Sequence, residues 1–149
     1  MGLSADVGSG PVGVDTAIFI YFIEEHVQYL PIIEPLFREV HGGRKLLVTS
    51  ALTLLEVLVI PYRMGNRFIS DRYEVLLTQS SGVRMVEISR HHLRAAAQLR
   101  AATRARTADA LQLATAMSYG CTAFVTNDRD LPTIPGLRVL QLSSYLSKP

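Results

Sequence analysis

A lone cysteine, Cys121, leaves this chain unable to close a disulfide on itself, and a reducing compartment is the expected setting. Metal sites of the Cys/His type are excluded by the same shortage. Low-complexity tracts are missing, as is any long uninterrupted apolar run. The longest, residues 46–60, is broken by Thr49, Ser50, Thr53 and Glu56, so no membrane span is expected. The opening MGLSADVGSG lacks the basic segment of a signal peptide. Neither sign of charge dominates: 15 Lys and Arg against 13 Asp and Glu leave +2, which by itself selects no partner. A soluble, cytoplasmic protein is the expectation.

What is there suits one globular domain. The 149 residues are 48% apolar and 19% charged, enough to bury a core without metals or disulfides as staples. Residues 1–11, bearing Gly and Ser, are expected to be flexible, and residues 12–149 to form a single domain.

The β-branched run at residues 12–14 reads as a strand. AIFIYFIEE after it is helix or strand, which periodicity alone does not decide. Residues 30–40 repeat apolar positions at helical spacing, with Pro31 in the first turn and Gly42-Gly43 as the stop. KLLVT at 45–49 reads as a strand, and the long LTLLEVLVI as a helix that ends or kinks at Pro61. A helix at 68–77, a strand at 83–89 and an Ala/Arg-rich helix at 91–103 follow. Residues 107–119 form another helix, with Thr107 as N-cap and Gly120 as stop. Strands at 123–126 and 137–142 close the chain. Strands alternating with helices predict an α/β sandwich around a mostly parallel sheet.

In open parallel sheets, ligands sit at the carboxyl ends of the strands. Asp15 directly follows the first strand, Asp128 and Asp130 follow AFVT, and Asp109 falls in the first turn of a helix. Glu56 stands among apolar neighbours without a Lys or Arg within a helical turn. A carboxylate buried there needs a partner, a cation or a raised pKa. Taken singly, each has a structural explanation: Asp15 as a helix cap, Asp109 as a helix-start acid, Asp128 and Asp130 as turn residues. Taken together, they are a set of hard oxygen donors of the kind that holds Mg²⁺ or Mn²⁺. Two such ions can activate a water and stabilise the leaving oxygen of a phosphodiester.

With VDT at 14–16, SALTLLEV at 50–57, RTADALQLATA at 106–116 and VTNDRDL at 125–131, the chain resembles the PIN-domain family. Within it, the resemblance is to the VapC-type toxin ribonucleases of toxin–antitoxin pairs, and it covers about residues 12–142. It implies a PIN-like three-layer sandwich. Residue by residue, Asp15, Glu56, Asp109 and Asp128 match the family's acidic metal-binding positions, and Asp130 a further acidic position near the site. Thr16, Ser50, Thr126 and Asn127 match polar neighbours that orient ligands or bind phosphate. Many relatives carry a small polar residue where this chain has Ala17.

The resemblance further implies a Mg²⁺- or Mn²⁺-dependent endoribonuclease that hydrolyses RNA with a metal-activated water. It implies dimerisation and a small cognate antitoxin as well. A PIN-fold module that binds RNA or protein without turnover is the alternative. A Toprim-like domain would want its Glu at a strand tip, and a haloacid-dehalogenase-type phosphatase a second Asp where Ala17 stands.

Setting aside the four proposed ligands leaves nine acids against fifteen bases, a surface balance of +6 that suits RNA. Arg106 and Arg129, beside the acids, are candidates for substrate contact or charge neutralisation. Arg90, Arg94, Arg100 and Arg104 would share a helix face if that helix is continuous, either as a phosphate-tracking stripe or as a solvated face.

Overall fold

The computed structural model describes residues 2–146. In chain order its elements are α1 (Leu3–Asp6), β1 (Val12–Val14), α2 (Thr16–Ile23), α3 (Leu30–His41), β2 (Leu47–Ser50), α4 (Leu52–Arg63) and α5 (Arg67–Gln79). Then follow β3 (Val83–Val86), α6 (Arg90–Ala102), α7 (Thr107–Tyr119), β4 (Ala123–Thr126), β5 (Arg138–Gln141) and a closing 3₁₀ turn, Leu142–Tyr145.

All five strands run parallel, in the order β3-β2-β1-β4-β5. β1, β2 and β4 are buried throughout, as expected for strands covered by helices on both faces. The chain leaves β1 toward β2 on one side, and β4 pairs on the other, Val12 opposite Ala123 and Val14 opposite Val125. Connections therefore diverge at β1 and β4, which opens a crevice beyond their carboxyl ends.

One face of the sheet packs on α2, α3 and α5 around Phe19, Phe37 and Tyr73, all buried; Phe22 stacks on Phe37 at 3.9 Å between ring centres. The other face takes α7. Its close approach depends on Gly13 in the middle of β1, where an added Cβ would stand 2.7 Å from the Phe124 ring and 2.8 Å from the Ala116 methyl. Gly120 ends α7 in the left-handed conformation, φ 89°, which returns the chain directly into β4. No described helix is long and apolar enough to cross a membrane.

Several expectations are corrected. Residues 2–11 are packed rather than loose: α1 forms, and Leu3 and Val7 are only 2% and 1% exposed. Asp6 accepts from Tyr145 Oη at 2.6 Å, and Arg138 donates to the Asp6 carbonyl at 2.9 Å. The ambiguous segment after Asp15 is helix α2. Helix α4 does not stop at Pro61 but runs to Arg63, with Gly65 (φ 65°) turning the chain and Asn66 capping α5. Thr107 is not the cap of α7; Arg106 stands there, extended and without a capping side chain. Helix α6 ends at Ala102, so Arg104 falls outside it and the four-arginine face is not continuous.

Cys121 is buried, and burial pushes its thiol pKa up to about 11, making it a packing residue. Substituting Gly13→Ala should lower the unfolding free energy by roughly 1–3 kcal/mol, because the methyl must push α7 from β1. Urea unfolding of the two proteins measures it.

Candidate active site

Asp15 is the first residue past β1 and the N-cap of α2. Its Oδ1 accepts from the Thr16 amide at 2.8 Å and its Oδ2 from Thr126 Oγ1 at 2.8 Å. Thr126, the last residue of β4, is wholly buried, and its hydroxyl also accepts the Asp128 amide at 3.0 Å. One threonine thus links the acid after β1 to the acid after β4. The capping and turn explanations hold for these residues, and they deliver the same carboxylates to the crevice.

Glu56 is half-buried rather than enclosed. Among the described residues no cation neutralises it; the Thr16 hydroxyl donates to its Oε1 at 2.8 Å. Asp109 sits in the first turn of α7, where helix amides and dipole favour a carboxylate. Arg106 then spans two acids, Nε to Asp109 Oδ2 at 3.1 Å and a terminal nitrogen to Asp128 Oδ2 at 2.9 Å.

Asp15, Glu56, Asp109 and Asp128 all line one open cleft of about 580 Å³, together with Thr16, Ala17, Arg106 and Asn127. The Asp15 carboxyl titrates above the ordinary carboxylate value. Burial is the main cause, opposed by its two hydrogen bonds and reinforced by the charges of Asp109 and Glu56. The Arg106 guanidinium is held charged even more firmly than usual by its bonds to Asp109 and Asp128.

Of the other expected residues, Ser50, Asp130 and Arg129 lie outside the cleft lining, while Asn127 is part of it. Ser50 is fully buried; its Oγ accepts from the Leu52 amide at 3.1 Å and so starts α4. Asp130 is exposed outside the cleft lining, and its amide donates to Asp128 Oδ1 at 2.9 Å, tightening the loop. Arg129 donates to Ser143 Oγ at 2.9 Å and, among the described residues, pairs with no carboxylate. Asn127 receives the Ser143 amide at 3.1 Å and donates to Tyr21 Oη at 3.3 Å.

Beneath the cleft is a buried polar network that sequence reading missed. Gln112, one turn after Asp109 on α7, accepts from the Ser50 amide at 3.1 Å and from Thr49 Oγ1 at 3.3 Å. Its Nε2 donates to Thr53 Oγ1 at 2.8 Å, and Thr53 lies 3.1 Å from Thr16 Oγ1, the donor to Glu56. A glutamine within ALQLATA, three residues after Asp109, was the available signal.

An α/β domain with an acidic cleft at the switch point of a parallel sheet defines the class. Residues 12–137 match the PIN domain family profile, and the chain belongs to the PIN-domain family. No curated protein matches the sequence. Among solved structures, the chain resembles one in the VapBC2 complex of Rickettsia felis bound to a DNA fragment from their promoter. The TM-score is 0.67 over 88% of this chain and 98% of that one, at 17% identity. A toxin–antitoxin complex from Klebsiella pneumoniae gives 0.60 over 90% and 98%, at 21% identity. DNA-bound VapBC from Salmonella typhimurium gives 0.61 over 91% and 99%, at 20% identity. At such identities the likeness is one of fold.

Two outcomes follow. Because Asp15 titrates higher folded than unfolded, its ionisation weakens the fold of chelator-treated protein. That loss is absent below the ordinary carboxylate value of 3.8 and complete above the raised one. Asp15→Asn should therefore raise the melting temperature at neutral pH and leave it nearly unchanged at acid pH. Gln112→Ala, which strands the Ser50 amide, should cost about 1–3 kcal/mol by urea unfolding.

Proposed function

We propose that this chain is a divalent-metal-dependent endoribonuclease, the toxin of a toxin–antitoxin pair. The observation that carries the proposal is the convergence of Asp15, Glu56, Asp109 and Asp128 on one cleft at the tips of β1 and β4. Family membership supports it, since PIN domains are generally nucleases.

The donor set fits Mg²⁺ or Mn²⁺ in chemistry: all oxygen, all acidic, with like charges that oppose ionisation of Asp15. It is not drawn tight. Among the described residues no three Asp, Glu, His or Cys side chains stand close enough to enclose an ion, and Arg106 lies between two of the four. Bound there, a divalent cation would supply Lewis acidity toward the phosphodiester and a nucleophile at neutral pH. The four carboxylates would hold it. Thr126 and Thr16 fix the orientations of Asp15 and Glu56, and Asn127 offers a polar contact at the cleft wall. The basic excess outside the acid set favours RNA as substrate.

A cognate antitoxin is the proposed partner, in keeping with the complexes in which similar folds occur. Leu55, Val59 and Tyr62 of α4 and Phe68 of α5 are exposed apolar side chains, 40% to 71% accessible. Leu55 and Val59 flank Glu56 on α4, so a protein bound there would stand beside the cleft. Such a surface also suits a homodimer. A cytoplasmic location accords with an RNA substrate.

Purified protein freed of any partner should cleave labelled RNA with Mg²⁺ or Mn²⁺. Activity should fall at least about 100-fold in Asp15→Asn and vanish with EDTA. Saturable Mn²⁺ binding without cleavage of any RNA would instead leave a PIN-fold binding module.

A further inference from the structure

The four acids of the cleft are held in two different ways. Asp15 and Glu56 are fastened by hydroxyls from below: Thr126 at 2.8 Å for one, Thr16 at 2.8 Å for the other, with Thr53 and Gln112 buried behind them. Asp109 and Asp128 have no such support. Among the described residues, the only side chain bonded to either carboxylate is Arg106.

Little in the fold holds the Arg106 side chain in place. It occupies the N-cap of α7, at the positive end of the helix dipole, where a cation is disfavoured and where it supplies no capping oxygen. Its side chain is 75% exposed, so swinging it into solvent sacrifices little packing. Among the described residues it is also the only basic one lining the cleft. What keeps its fork over the cleft is the pair of carboxylates and nothing deeper in the fold.

We infer that Arg106 is a built-in counter-ion, which occupies Asp109 and Asp128 in the metal-free protein and competes with a divalent cation for them. The inference rests on the metal-site reading above. In the metal-free state the guanidinium lowers the repulsion between two acids brought together by α7 and the loop after β4. Loading a cation requires the fork to release both Oδ2 atoms. The protein thus trades affinity for metal against integrity of the empty site.

The full chain, stripped with chelator, is titrated with Mn²⁺ at low salt, free Mn²⁺ being read by its electron paramagnetic resonance. Circular dichroism confirms that each variant is folded. Arg106→Gln should bind Mn²⁺ about three- to tenfold more tightly than wild type, the range expected from two exposed ion pairs. Arg84→Gln, which removes the same charge from an exposed position outside the cleft, should change the affinity much less. Arg106→Lys, charged but unable to bridge both acids with a fork, should fall between wild type and Arg106→Gln. The difference should shrink as salt rises. In the absence of metal, Arg106→Gln should melt below wild type, and saturating Mn²⁺ should close the gap.

Equal or weaker Mn²⁺ binding by a folded Arg106→Gln, with wild type binding saturably, overturns the counter-ion role and leaves the metal site standing. An equal gain in Arg84→Gln reduces the effect to net charge and overturns it as well. No saturable binding by wild type, or binding untouched by Asp15→Asn, sinks the metal reading itself and this inference with it.

Discussion

Repulsion between carboxylates is the constraint around which the structure is arranged. Asp15, Glu56, Asp109 and Asp128 come from four separate segments, and nothing local draws them together. They meet because β1 and β4 are adjacent at the point where the sheet's connections diverge, and because α7 lies close against β1 over Gly13. The apolar core, with Phe19, Phe37 and Phe124 buried on the two faces, supplies the stability that holds like charges at one end. Sites of this kind work against the fold that carries them, and the raised Asp15 pKa shows it locally, chiefly through burial of the carboxyl and secondarily through the charges of Asp109 and Glu56.

Half of the cleft is rigid by construction. Threonines 16, 49 and 53 and Gln112 form a buried floor in which each hydroxyl or amide answers another, and buried Thr126 bonds Asp15 beside it. A floor of this sort limits how far Asp15 and Glu56 can drift apart or together. The opposite wall depends on an exposed guanidinium and a loop, and that loop is itself braced by Gln141 on the Asp128 carbonyl and by Ser143 on Asn127. One side is built for position and the other for adjustment.

Much of the fold was legible in the sequence because its signals are local. AFVT is apolar on both faces, Gly120 can adopt the left-handed cap, and Asp15, Asp109 and Asp128 fall where strands and helices meet. Other features need partners far along the chain. Leu3 and Val7 look like stray apolar residues in a Gly/Ser stretch, and only the core they enter gives them meaning. The AIFIYFI segment is apolar at every turn, and packing against α3 and α5 on one face of the sheet settles it as α2. Pro61 stops helices in isolation, yet here it is buried within α4. The floor beneath the cleft was illegible for the same reason: Gln112 meets Thr53 and Ser50 across 59 and 62 residues. Residue spacing along the chain pairs polar groups within helical reach and carries no information on partners farther away.

The pairing of β1 with β4 also fixes when the cleft can exist. Val12 must find Ala123 across more than a hundred residues, so closing the central ladder carries a large loop-closure entropy cost. Asp15 is made well before Asp128 and its Thr126 brace, which lie more than a hundred residues further along the chain. No incomplete chain shorter than β4 holds all four acids. The cleft is therefore assembled only once β4 has joined β1, and no shorter fragment displays it.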